Sequence, residues 1–222
     1  MAKIVKKNLL TIVLFFTAFS GNCYAFDNGD FQYWNTESVS WKPNDDWKTT
    51  LEEEFRLGDD GGNLYYQHSD LSVTYSGFSP WFDLGLNYRH IFEKKDSKWK
   101  VENRPHLNAT LKWELYDLGF SNRGRLEYRN RENADNFWRY RNKFTIKIPF
   151  KLTKLEIQPY IAGEIFYDFD VGTLNRNRLY SGFNFKLSKN LKANIFYLWQ
   201  TTEKSYGWND VHVLGTKFNI SF

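Results

Sequence analysis

The chain has one cysteine, Cys23, and it lies in an N-terminal segment that reads as an export signal. The rest is therefore without thiols, which excludes disulfides, thiol catalysis and cysteine-ligated metal centres. Proline is scarce, with 5 in 222 residues, and aromatics make up 19%, so low-complexity disorder is excluded as well. Long apolar runs are missing beyond residue 25, where no stretch approaches the roughly 20 residues that a membrane-crossing helix needs. Nor is one sign of charge in surplus. The 30 basic residues include Lys3, Lys6 and Lys7, and without them the balance is 27 to 26, a net of +1. That near-balance gives no argument for nucleic acid or any other polyanionic partner.

The N-terminal segment has the three parts of a secretory signal. Lys3, Lys6 and Lys7 form its basic start, Leu9 to Phe19 its apolar run, and Cys23 and Ala25 supply small residues at −3 and −1. Cleavage is expected after Ala25, dividing the chain into a signal peptide at 1–25 and a mature domain at 26–222. Lipidation at Cys23 would need a small residue before it, and Asn22 stands there.

The mature chain alternates with period two. Trp47, Thr49, Leu51, Glu53, Phe55 and Leu57 share one face, opposed by Lys48, Thr50, Glu52, Glu54 and Arg56. From Trp99 to Leu115 the odd positions are mostly apolar and the even ones polar, and residues 138–148 alternate in the same way. Such alternation predicts strands, whose successive side chains point to opposite faces. Eleven runs are predicted, at 31–42, 47–57, 64–75, 81–93, 99–116, 120–131, 137–148, 155–168, 175–187, 191–202 and 211–222. Pro105 and Pro159 fall inside two of them and each removes a ladder donor, so a bulge or irregular pairing is expected there.

A soluble β-sandwich also alternates. Against it, the polar face carries long charged side chains on nearly every strand, as a wet lumen would. The apolar face places aromatics near strand ends, among them Trp41, Trp47, Trp81, Trp113, Trp138 and Phe150, as interfacial girdles require. Short turns are expected to alternate with longer polar loops at Gly58–Asn63, Lys94–Lys98, Glu132–Asn136, Phe169–Leu174 and Glu203–Asp210. Phe218, Ile220 and the terminal Phe222 look like the C-terminal signal read by the bacterial barrel-assembly machinery. The expected fold is all-β: a transmembrane antiparallel up-and-down barrel of 10–12 strands in the outer membrane of a Gram-negative bacterium. Outer-membrane lipid and lipopolysaccharide would surround it. An even strand number is the rule for such barrels, so eleven runs imply either an extra ascending segment at 26–30 or one run outside the wall.

Several strings in this order support a family resemblance. They include Leu51-Glu52-Glu53-Glu54-Phe55-Arg56, Glu102-Asn103-Arg104-Pro105-His106, Arg125-Leu126-Glu127-Tyr128-Arg129-Asn130-Arg131, Glu164-Ile165-Phe166-Tyr167-Asp168 and Asn175-Arg176-Asn177-Arg178-Leu179-Tyr180. Over essentially the whole mature chain they resemble the bacterial family called domain of unknown function 2490. The resemblance implies a small outer-membrane barrel and brings no catalytic residue.

The inward face sets the functional expectation. Arg104, Arg123, Arg125, Arg129, Arg131, Arg139, Arg141, Arg176 and Arg178 are expected to line an anion path, since rings of Arg select anions in pores and the guanidinium fork binds carboxylate or phosphate bidentately. Glu52, Glu54, Glu127, Glu164 and Asp168 are their acidic partners, with the wall opposite the arginines expected to be the more acidic. Three functions stay open. The first is a small porin-like channel for passive diffusion of anionic solutes. The second is a non-conducting barrel with a salt-bridged lumen. The third is an envelope lipid hydrolase using His90 as base, although no serine stands out as its partner. His68, His106 and His212 carry no metal-ligand spacing, and neither metal nor cofactor is expected.

Overall fold

The computed structural model describes residues 28–95, 97–149 and 153–222. The signal segment with Cys23, and Phe150 of the aromatic set, lie outside the described residues. The period-two runs become eleven strands: β1 Asp30–Trp41, β2 Trp47–Gly58, β3 Asn63–Ser79, β4 Phe82–Lys95, β5 Lys98–Leu115 and β6 Leu118–Arg131. They continue with β7 Phe137–Lys147, β8 Gln158–Asp168, β9 Thr173–Lys186, β10 Leu191–Lys204 and β11 Gly207–Ser221. Each pairs with its chain neighbours, and β1 closes on β11 to complete a barrel.

The closure resolves the parity problem. All eleven strands stand in the wall, and residues 28–29 form a turn rather than an ascending strand. Ten seams are antiparallel, whereas β1 and β11 run parallel from Asp30↔Val211 to Ser40↔Ser221. Parallel ladders are slightly weaker per residue, and side chains reinforce this one. Asn219 Nδ2 donates to Ser38 Oγ at 2.8 Å and Ser40 Oγ at 3.1 Å, and Asn35 Nδ2 donates to Thr216 Oγ1 at 3.0 Å.

The loop asymmetry does not hold. The strands run on through residues read as loop, so that Lys94–Lys95, Glu203–Lys204 and Gly207–Asp210 all lie in the ladder. At the upper end, where β2 meets β3, the connections are 59–62, 96–97, 132–136, 169–172 and 205–206. At the lower end β7 stops at Lys147 and β8 begins at Gln158, the widest interval between consecutive strands. The lower β5–β6 connection is a two-residue hairpin turn in which Tyr116 (φ 49°) and Asp117 (φ 62°) are both left-handed, the type I′ geometry that suits twisted strands. Pro105 interrupts pairing with β6 without shifting the register, and Pro159 sits at the second position of β8. The register shifts fall elsewhere, at Arg56/Leu57, Tyr75/Ser79 and Phe166/Tyr167.

The outer face is apolar and exposed, with Leu51, Leu71, Leu86, Leu107, Ile161, Leu179 and Ile195 pointing outward. Exposed tryptophans mark both rims: Trp41, Trp47, Trp81 and Trp113 below, Trp99, Trp138 and Trp208 above. Inside, β1, β8, β10 and β11 contribute an apolar stretch of wall, while buried acids come from β2 and β3 as well as from the arginine strands. Trp34, Tyr160, Ala162, Phe196, Leu198, Val211 and Val213 form one buried cluster. Phe196 fits there because its register partners on both sides are glycines, Gly182 and Gly215. A Cβ on Gly215 would stand 2.0 Å from the Phe196 ring.

Candidate functional site

The inward side chains of β5 to β9 gather the predicted arginines around three buried carboxylates. Glu127 is fully buried, at 0% exposure. It accepts from Arg139 Nη2 at 2.6 Å and Nε at 2.9 Å and from Arg141 Nη1 at 2.9 Å, with Arg125 Nη1 at 3.5 Å and Arg104 Nη1 at 4.0 Å. Glu164 accepts from Arg141 Nη2 at 2.7 Å and Tyr180 Oη at 2.9 Å, so Arg141 joins the two hubs. Glu102 takes both Arg104, Nη2 at 2.6 Å, and Arg129, Nη2 at 2.5 Å. Planar guanidinium forks explain why arginine, not lysine, fills these positions: one fork can serve two carboxylates in fixed geometry.

Most arginines in the predicted set reach this network, and three residues do not fit the expectation. Arg131 hydrogen-bonds the Asp135 backbone carbonyl at the upper rim. Arg176 has no carboxylate within ion-pair distance among the described residues and lies over the Phe166 ring, 5.5 Å from its centroid. Asp168 stands in register with Arg139 but serves the β8–β9 connection instead, accepting from the Asp170 N–H at 3.0 Å and Asn175 Nδ2 at 3.2 Å. Its carboxylate is turned toward the chain reversal, where two nearby donors are closer than the arginine.

The acidic side of the network lies on β2 and β3. Glu54 is held by Arg56 Nη2 at 2.6 Å and by Thr36 Oγ1 at 3.1 Å, and Asp70 by Arg89 Nε at 2.7 Å. Glu52, Glu54 and His68 bring three ligand-type atoms within 4.8 Å of one another. Arg56 on Glu54 and Arg89 near Glu52 (3.6 Å) already supply positive charge there, which opposes a bound cation.

Arg56, Arg89, Lys143 and Lys217 join the site although they are not among the residues expected to line the anion path. Arg56 is sandwiched between Trp34, 3.7 Å from the ring centroid, and Tyr66 at 4.2 Å, a favourable cation–π position. All four lie on the inward phase of their strands, and that phase is the signal that could have found them. Around the residual space they build one sign of charge. A cavity of about 350 Å³ is lined by eleven Arg and four Lys against four Glu: Glu52, Glu54, Glu93 and Glu164.

On the outer wall the register answers the search for a serine. Ser69 stands directly across from His90, whose Nδ1 lies 2.7 Å from Asn103 Oδ1. The Ser69 hydroxyl, however, donates to Glu53 Oε2 at 2.8 Å, and no hydroxyl–imidazole hydrogen bond joins the pair among the described residues. Tyr197 and His212 form a second outward polar pair, 2.6 Å apart. Neither arrangement assembles nucleophile, base and orienting group in contact.

No curated protein matches the chain. The family described as protein of unknown function (DUF2490) matches residues 31–211, from the second residue of β1 into β11. That span takes in every buried Arg–Glu hub described above, and the chain belongs to this family.

Proposed function

We propose that the protein is an outer-membrane β-barrel of a Gram-negative bacterium whose narrow basic lumen passes small anionic solutes by diffusion. The signal at 1–25 would direct export, and the barrel-assembly machinery would read Phe218, Ile220 and Phe222. Lipid and lipopolysaccharide would then cover the outer wall. Three features support the membrane reading. Apolar residues point out, charged residues point in, and tryptophan rims the wall at both ends.

Fifteen cations line the cavity against four carboxylates, and Glu102, Glu127 and Asp70 behind them bring the acids only to seven; that excess of cations carries the transport reading. A purely structural network would be close to balance, because each unmatched buried charge costs stability. Unmatched cations lower the barrier for anions instead. Planar-bilayer recording on the refolded mature protein tests this. Reproducible single-channel steps with anion-selective reversal potentials are expected. Silent bilayers would favour the non-conducting barrel. A heat-modifiable band on cold gels tests the membrane reading, and a mature chain that stays soluble without detergent would overturn it.

A further inference from the structure

The sign pattern around the lumen is not that of a self-neutralising network. Following the register from β6 to β9, Arg123 faces Lys143, Lys143 faces Glu164, and Glu164 faces Arg178. Three cations thus share one carboxylate, and two of the cations are direct cross-strand neighbours. Like charges placed directly opposite are destabilising. Glu164 is moreover committed: its closest partners are Arg141 and Tyr180, while Arg123 Nη2 is 3.4 Å away and Arg178 Nη1 3.6 Å. Lys143 has no carboxylate within ion-pair distance among the described residues and rests on the Tyr180 ring, 3.6 Å from its centroid. Arg123, Lys217 and Arg178 repel it and Glu164 attracts it. The Arg123 Nε atom is buried and has no hydrogen-bond partner among the described residues.

The position suits a ligand. Arg123 lines both the central cavity and a second one of about 290 Å³ toward the lower end. Lys217 lines the central cavity and a third, of about 490 Å³, which also takes in Lys147, Lys186 and Lys192. The free donors therefore sit where the lower cavities meet the centre.

We propose that Arg123, Lys143, Lys217 and Arg178 form a binding site for a phosphate-class oxyanion, either inorganic phosphate or the head of a phosphomonoester. A single carboxylate would leave most of this charge unanswered. A tetrahedral dianion brings two charges and at least three acceptor oxygens, and it can bridge Arg123 and Lys143, which otherwise repel. The proposal rests on the basic-lumen reading and specifies its ligand.

The test is isothermal titration of inorganic phosphate into the refolded mature barrel in zwitterionic detergent at low chloride, repeated with glucose 6-phosphate. Saturable one-site binding is expected. Lys143→Gln and Arg123→Gln should each weaken it by about tenfold to a hundredfold, the range for losing one charge-assisted hydrogen bond. Lys189→Gln, in the exposed β9–β10 connection, should leave it unchanged. Lys143→Gln should also raise the denaturation midpoint of the ligand-free barrel, because it removes an unanswered buried charge; a structural ion-pair role would lower it. Should Arg123→Gln fail to fold, Lys217→Gln takes its place with the same expected loss. Equal affinity for the two probes assigns the site to the phosphate alone, and tighter binding of the sugar phosphate assigns it to the monoester. Absence of saturable binding, or binding indifferent to Lys143 and Arg123, overturns the site. A barrel that conducts chloride without binding phosphate refutes this inference and spares the channel. A barrel that binds phosphate and never conducts does the reverse.

Discussion

Replacing Glu127 by Gln probes the lumen at its most connected point. The change keeps the shape and one acceptor oxygen and deletes one charge. Arg139 loses a two-pronged contact (2.6 and 2.9 Å), Arg141 one of its two carboxylates (2.9 Å), and Arg125 and Arg104 their longer-range counter-charge. No water reaches the side chain to compensate, since Glu127 is wholly buried. Breaking a buried pair by removing one partner costs about 3–5 kcal/mol, because the other charge is left stranded. The upper half of that range is expected here, with four guanidiniums affected. Urea unfolding in detergent micelles, followed by tryptophan fluorescence, measures the loss as a fall in midpoint at unchanged slope. Adding Arg139→Gln to Glu127→Gln should recover part of it, with a coupling of about 1–3 kcal/mol between contacting residues. A Glu127→Gln barrel within about 1 kcal/mol of the parent would show that water or repacking screens the arginines, and the buried-hub reasoning would fail.

Arg176→Gln removes a lumen cation that has no carboxylate partner among the described residues, so the barrel should fold normally while its reversal potential in a salt gradient moves toward cations; unchanged selectivity would take Arg176 out of the anion path. Charge removal at Arg139 and Arg141 together should instead destabilise the barrel, because both hold Glu127 and Arg141 also holds Glu164. Gly215→Ala must displace the Phe196 ring and should cost about 1–3 kcal/mol in the same urea assay, as overpacking does. Glu37 and Glu53 stand directly opposite each other on the outward face. Glu53→Leu should therefore stabilise the barrel in liposomes by about 1–2 kcal/mol, and destabilisation would show that this part of the wall is not covered by lipid.

Strand content was legible along the chain because alternation is a local property. Which face Leu51 or Glu52 occupies follows from its neighbours two residues away, and all eleven runs became strands near their expected positions. The lengths of the connections were not legible. Polar residues such as Glu203, Lys204, Asn209 and Asp210 read as loop, yet they continue the ladder of β10 and β11. A strand that extends past the apolar band carries the same polar composition as a loop, so composition cannot mark where pairing stops.

The sequence alone determined an all-β chain with one apolar and one charged face, and it named most of the arginines on the charged one. Only the tertiary structure decided how the barrel closes, since a parallel β1–β11 seam joins residues some 180 positions apart and has no local signature. It also decided which carboxylate each arginine meets. Arg139 could have paired with Asp168, its register neighbour, but its fork lies on Glu127 of the other adjacent strand while Asp168 turns to its own loop. The same holds for the surplus of charge. Arg123 and Lys143 lie twenty residues apart on separate runs, and only the register of β6 against β7 sets them side by side. Periodicity fixes the face of a side chain, whereas its partner depends on the relative shift of whole strands, which packing settles over the entire barrel.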